Sequence, residues 1–162
     1  MKKVVVFSQI DQDVLTQLQQ DYQVVVLNPK LGDINEQIRT EIVDADAMIG
    51  AGRLLNQSNL APAQKLKMIS TVSVGYDNYD VDYLNQQRIW LANTPHVLTE
   101  TTADLAFSLL LSAARKIPQL DAWTKQGQWK RTVAVEQFGV DVFGKTLGII
   151  GLGHIGAAIA RR

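Results

Sequence analysis

The chain has 162 residues, 46% of them hydrophobic and 20% charged, the balance of an ordinary globular protein of one domain or slightly more. Sixteen basic residues offset sixteen acidic ones, so no net field favours nucleic acid or an anionic membrane. Cysteine is absent and the two histidines are far apart, which leaves no disulfide framework, no thiolate chemistry and no metal-ligand spacing. No stretch approaches the roughly 20 apolar residues of a membrane span, and the apolar run at residues 4–7 is too short for a signal peptide. The chain reads as cytoplasmic.

Residues 4–7 are a continuous β-branched run, the pattern of a strand buried on both faces. Asp11 is placed to cap a helix whose apolar stripe is Val14, Leu15 and Leu18. A second strand spans residues 24–27 and ends at Asn28-Pro29. Asp33 and Glu36 form a capping-box pattern ahead of a helix carrying Ile34, Ile38 and Ile42 on one face. A third strand at residues 47–49 is broken by Gly50 and Gly52. A short helix at 59–65, a fourth strand at 68–72, a helix at 81–87 and a fifth strand at 89–92 complete the series. Alternation of strand and helix with short connections is the signature of a doubly wound parallel sheet.

Asn93-Thr94-Pro95 marks a break. From Thr99 to Ile117 the pattern predicts one long helix, with Leu105, Leu109 and Ala113 beside Ala106, Leu110 and Ile117, and with Arg115 and Lys116 at its C-terminal dipole. A second amphipathic piece carries Leu120 and Trp123 and closes at Gly127 and Trp129; Trp90, Trp123 and Trp129 read as core or interface residues. Residues 131–144 read as loop. The chain then gives an apolar run at 147–150, expected to be a strand, followed by Gly151-Leu152-Gly153-His154-Ile155-Gly156 and a run of helix formers. This is G-x-G-x-x-G between strand and helix, the dinucleotide fingerprint. Gly151 suits the tight turn, Gly153 lets backbone approach a pyrophosphate, and Gly156 allows close helix packing. The helix N-terminus then faces the anion. The acidic residue expected about twenty positions further on falls beyond Arg162, so the fingerprint reads as half a site, and NAD versus NADP stays open.

Along most of its length the chain resembles the D-isomer-specific 2-hydroxyacid dehydrogenases, in the branch of glyoxylate, hydroxypyruvate and 2-ketogluconate reductases. The resemblance is carried by Ser73-Val74-Gly75-Tyr76-Asp77-Asn78, by Asn93-Thr94-Pro95 with Val97-Leu98-Thr99-Glu100 and Thr102-Ala103-Asp104, by Gly127-Gln128-Trp129, and by Gly144-Lys145-Thr146-Leu147-Gly148-Ile149 leading into the fingerprint. It implies a flavodoxin-like doubly wound parallel sheet as substrate domain (residues 1–98), a bridging helix and dimerisation arm (99–144), and the first strand-turn-helix of a Rossmann NAD(P)-binding domain (145–162).

The implied chemistry is hydride transfer between a nicotinamide cofactor, NAD or NADP, and a small 2-oxo acid. The family's arginine, glutamate and histidine lie in segments beyond Arg162, so no catalytic residue is expected within this chain, and the chain alone is expected to be inactive. His154, inside the fingerprint, and His96, a surface or cleft-edge residue of the hinge, are not that histidine. For substrate binding the resemblance points to the backbone N–H groups of Val74 and Gly75. Arg53 reads either as a contact to a substrate's distal group or as a solvated loop arginine. For the cofactor it points to Gly151, Gly153, His154, Ile155 and Gly156, with Thr102 either beside the nicotinamide or capping the bridging helix. Asp77 and Asp80 are expected to fix the loop and cap the next helix, and Tyr79 stands where the family usually carries an aliphatic residue. The implied partner is a second copy of the chain, joined through the bridging helix and the C-terminal tail. A catalytically inactive substrate- or nucleotide-binding fragment and an NAD-sensing, corepressor-like protein are the alternatives.

Overall fold

Five short apolar runs pair into one all-parallel sheet in the computed structural model, which describes every residue from Met1 to Arg162. The strands are β1 (Lys3–Val6), β2 (Gln23–Val26), β3 (Ala47–Gly50), β4 (Met68–Thr71) and β5 (Trp90–Ala92), in the order β2-β1-β3-β4-β5. Helices α1 (Gln12–Asp21), α2 (Ile34–Glu41), α3 (Gln57–Leu60) and α4 (Val81–Gln87) form the crossovers. The fold class expected from the alternation is the one observed. The fourth strand and the third helix differ from expectation at their ends, with α3 shortened to a single capped turn at Asn56, while α4 has the expected bounds.

Register builds the core. Val5 pairs with Val25 and Met48, Met48 with Ile69, and Ile69 with Leu91, so one apolar row crosses the whole sheet. Ile34, Ile38 and Ile42, together with Leu60 and Leu84, bury against that row. Burying each such side chain fully contributes about 1.5–3 kcal/mol. The helices start where short polar side chains satisfy first-turn N–H groups: Asp11 accepts from Asp13 at 2.8 Å, Asp33 from Asn35 at 2.6 Å, and Asp80 from Tyr83 at 3.0 Å.

Right-handed crossovers put α1 on one face, because β1 to β2 runs in the opposite direction from the later steps. Alone there, α1 buries no residue, and its Val14, Leu15 and Leu18 stay at least partly exposed. Further along this face Met68 is exposed, and so is Trp90, at 78%; Trp90 is therefore not a core residue.

Met1–Val97 and Leu98–Arg162 are two compact units. In the second, α5 (Thr99–Ala114) stops before the expected end. Lys116 turns the chain with φ +54°, and Pro118 sits in the first turn of α6 (Ile117–Lys125), the helical position where a missing N–H costs nothing. Ile117 therefore belongs to α6 and is exposed. Trp123 and Trp129 stack with centroids 6.3 Å apart. Residues 147–150 are not a strand, contrary to expectation. A strand needs a neighbour for its backbone groups, this unit contains no other strand, and Ile150 is left fully exposed. The helix after the glycine turn, α7 (His154–Arg161), forms as expected and packs on α5, with Ala103 and Ala158 fully buried. Arg162 reaches Glu100 at 2.9 Å and Asp104 at 2.6 Å, and Arg161 reaches Glu100 at 3.0 Å. No helix is long and apolar enough to cross a membrane.

Candidate substrate and dinucleotide sites

In a doubly wound sheet ligands meet the carboxyl ends of the strands where the strand order reverses, here at β1 and β3. Residues 51–55 follow β3 there, and residues 73–78 follow β4. The two loops are stapled together. Leu55 N–H donates to the Asn78 carbonyl at 2.9 Å, Asp80 N–H donates to the Leu55 carbonyl at 3.2 Å, and the Asn78 side-chain amide donates to the Arg53 carbonyl. Ser8, after β1, accepts from Ala51 N–H at 2.8 Å.

The loop after β4 presents an unusual run of backbone. The N–H groups of Val74, Gly75 and Tyr76 donate to nothing in the protein, and these residues are half-buried or exposed. The carbonyls of the preceding peptide units are all satisfied. Ser73 C=O accepts from Thr94 N–H at 3.0 Å, Val74 C=O from the Asn93 side chain at 2.8 Å, and Gly75 C=O from Ser73 Oγ at 2.7 Å. Each such bond polarises the peptide whose N–H follows, so these are good donors with no acceptor, the composition of an anion-binding concavity. Sequence reasoning identified Val74 and Gly75 but missed Tyr76, Asn93 and Thr94. The pairing of Ser70 with Ala92 is the signal that sets residues 93–94 beside this loop.

In the second unit the glycines behave as distinct parts. Gly151 has φ +91°, which favours glycine. A Cβ on Gly156 would lie 2.1 Å from the Gly151 carbonyl oxygen, so no side chain fits. A Cβ on Gly153 would meet nothing within 4 Å, and this is the open space into which a phosphate can approach backbone. Gly153 is also the N-cap of α7, without a side-chain cap, so the first-turn N–H groups of Ile155 and Gly156 and the helix dipole face that space. These residues fit a dinucleotide pyrophosphate.

Arg53 is half-buried, and its guanidinium makes no ion pair, although its own carbonyl is tied to the loop after β4. Thr102 lies half-buried in the first turn of α5; its N–H donates to Leu98, but its side chain forms no cap. His154 opens α7, exposed, and Ile155 follows it half-buried. His96 is exposed, with φ +68°. A concavity of about 660 Å³ in the first unit runs along α4 and β5 and meets the loop after β4 at Tyr76, beside Asn93. The acidic groups with depressed pKa values are structural: the Lys3 hydrogen bond lowers Asp44, and the Arg162 hydrogen bond lowers Glu100.

A doubly wound parallel sheet with a row of free N–H groups at a strand end, followed in the chain by a glycine turn opening a helix, defines an α/β protein of the doubly wound class. The chain belongs to the D-isomer specific 2-hydroxyacid dehydrogenase family, whose catalytic domain it matches over residues 4–149. It is 39% identical over 159 residues to glyoxylate/hydroxypyruvate reductase B of Serratia proteamaculans and 41% identical to that of Yersinia enterocolitica, covering 98% of this chain in each case. It spans about half the length of these curated relatives, 49%. A solved NADPH-dependent glyoxylate/hydroxypyruvate reductase from Sinorhizobium meliloti, in complex with NADP and malonate, superposes with a TM-score of 0.81 at 32% identity, over 99% of this chain and 49% of that one.

Proposed function

We propose that this chain supplies the substrate domain and the pyrophosphate turn of an NAD(P)-dependent reductase that converts small 2-oxo acids of the glyoxylate or hydroxypyruvate type to D-2-hydroxy acids. The observation that carries this reading is the run of unpaired N–H groups at Val74, Gly75 and Tyr76 with their carbonyls capped. Those donors hold the substrate carboxylate, and Arg53 stands beside them for a distal polar group. Residues 151–156 hold the pyrophosphate, with Thr102 toward the nicotinamide end. The nicotinamide, when bound, supplies the hydride. The residues of this chain bind and orient, and the catalytic acid/base work is not theirs. In this reading residues 1–98 are the substrate-binding domain, 99–144 the bridging helix and arm, and 145–162 the start of the nucleotide-binding domain.

Leu105 and Leu109 on α5, with Phe138 and Phe143 in the arm, are exposed. Apolar residues gathered on one helix face and its arm mark an interface, and the proposal includes a homodimer formed through them. Light scattering on a size-exclusion column checks this, and a monomer at micromolar concentration excludes it.

Backbone-amide NMR on the 162-residue chain tests the binding roles. Oxalate, an unreactive mimic of a 2-oxo carboxylate, should shift the amides of Val74, Gly75 and Tyr76, and NADPH or NADH should shift those of residues 151–156. Oxalate shifts confined to other residues refute the substrate assignment.

A further inference from the structure

Beneath the loop after β4 lies a line of three hydroxyls. Tyr79 is 5% exposed, and its Oη is buried without a hydrogen-bond partner. Its electrostatic neighbour is the hydroxyl of Thr71, itself 1% exposed. Thr71 Oγ1 lies 2.6 Å from Ser73 Oγ, and Ser73 Oγ lies 2.7 Å from the Gly75 carbonyl oxygen.

Proton counting fixes the direction of this line. A carbonyl only accepts, so the single Ser73 proton goes to Gly75. The Thr71–Ser73 contact must then carry the Thr71 proton, which leaves Thr71 Oγ1 with free lone pairs and no donor. Tyr79 Oη–H has a proton and no acceptor. The two unmet needs match, and they meet in the core under the free N–H groups.

Building on the substrate-cradle reading above, we propose that Tyr79 is the positioning residue of that cradle: its O–H closes onto Thr71 when a carboxylate occupies the loop. The chain Tyr79–Thr71–Ser73 then fixes the Gly75 carbonyl and, through it, the Val74, Gly75 and Tyr76 N–H groups. The backbone of Tyr79 is already clamped by the bridge to Leu55 and by the Asp80 and Leu55 hydrogen bonds on either side of it. The phenol is therefore held still while the loop above it adjusts. A phenylalanine would fill the same space, so the hydroxyl is what the proposal concerns. The pKa direction agrees with a buried neutral donor, since burial raises the phenol above its ordinary value while the Thr71 hydroxyl opposes that rise.

The test is the oxalate dissociation constant read from the Val74, Gly75 and Tyr76 amides of the full 162-residue chain. Tyr79→Phe should weaken binding about three- to tenfold, the effect of one net hydrogen bond. Thr71→Val should do the same, the double variant should be no weaker than the worse single one, and Thr71→Ser, which keeps the hydroxyl, should restore binding. With oxalate bound, amide exchange at residues 74–76 should be faster in Tyr79→Phe than in wild type and unchanged in the control Tyr83→Phe, while without ligand Tyr79→Phe should exchange there as wild type does. A purely packing role predicts none of this pattern. Wild-type shifts at these amides with Tyr79→Phe binding within twofold of wild type overturn the role of Tyr79 and leave the cradle standing. No wild-type shift there overturns the cradle, and the role of Tyr79 with it. If Tyr79→Phe does not fold, the Thr71→Val and Thr71→Ser pair decides the matter by the same thresholds.

Discussion

Gly156 and Gly153 lie in one six-residue motif, yet alanine at the two positions should have opposite consequences. At Gly156 the new Cβ would sit 2.1 Å from the Gly151 carbonyl oxygen and 3.5 Å from Ile149 Cγ2. The obstacle at Gly156 is backbone, which cannot rotate away, and relief requires the glycine turn and α7 to separate by more than an ångström. Overpacking of this kind costs about 1–3 kcal/mol, against a helix-propensity gain of about 1 kcal/mol for Gly to Ala. The expected net is a loss of up to about 2 kcal/mol, concentrated where α7 docks on α5. Hydrogen exchange resolved to α7, with urea unfolding alongside, reads it directly. At Gly153 the Cβ enters open space and the backbone is in an ordinary extended conformation, φ −79° and ψ −161°. Gly153→Ala should therefore leave exchange and unfolding within about 0.5 kcal/mol of wild type, while weakening NADPH binding at least about tenfold, or 1.4 kcal/mol. Equal or greater protection of α7 in Gly156→Ala would refute the steric reasoning. Unchanged nucleotide affinity in Gly153→Ala would refute the assignment of that space to a phosphate.

Other parts of the fold can be tested as directly. Lys3 is buried, and its ammonium is held by Glu41 at 2.8 Å and Asp44 at 2.5 Å, both at the surface. Lys3→Met should change stability little, whereas Glu41→Gln with Asp44→Asn strands the buried cation and should lower the urea midpoint more than Lys3→Met does. The Lys3 hydrogen bond lowers the pKa of Asp44, so the contribution of Asp44 is complete above about pH 4 and is lost as pH falls through its depressed value. For Lys3, burial is outweighed by the Asp44 and Glu41 hydrogen bonds, so its contribution is complete below about pH 10 and is lost as pH rises through its elevated value. The double variant should flatten the acid limb of a thermal-melt pH series. Glu100, lowered by its Arg162 hydrogen bond, likewise stops anchoring α7 as pH falls through its depressed value. Exchange of α7 should quicken there, and also in high salt because these groups are exposed. Gly50→Ala would press within 2.7 Å of the buried Phe7 ring and should cost about 1–3 kcal/mol, partly recovered by Phe7→Leu.

What could be read in the sequence was what local geometry decides. The caps at Asp11, Asp33 and Asp80 form because each carboxylate needs only N–H groups two or three residues away. The three isoleucines of α2 and its end share a face by helical period alone and are all buried. The parallel sheet followed from alternation plus the handedness of crossovers. Misreadings arose where a partner distant in sequence decides. Residues 147–150 have strand composition but no neighbouring strand, so they stay unpaired. Trp90 lies on a strand face whose cover depends on which helix reaches it, and α1 is at the other end of the sheet. The end of α5 turns on a left-handed Lys116, a conformation that residue type does not announce.

The same division runs through the candidate site. Gly151, Gly153 and Gly156 were legible because spacing within one turn sets their roles. The cradle was only half legible because it is made by the ladder around β4. In a parallel sheet successive residues turn their N–H and C=O groups together to one neighbour and then the other, so past a strand end these groups find partners only where a neighbouring chain still runs alongside. The last β4-side N–H to find a carbonyl is that of Val72, on Gly50 at 3.0 Å. Beyond it β3 leaves the sheet through Gly52, with φ +72°, and takes its acceptors away. On the other side the chain after β5 keeps donating, through Thr94 N–H and the Asn93 amide, to the carbonyls of Ser73 and Val74. No β3 carbonyl remains for the N–H groups that follow, while the chain after β5 meets the carbonyls of Ser73 and Val74 and the loop itself meets those of Gly75 and Tyr76, so residues 74–76 emerge with carbonyls satisfied and N–H groups free. The free donors at residues 74–76 thus depend on where the neighbouring strands end, and residue types alone do not state that offset.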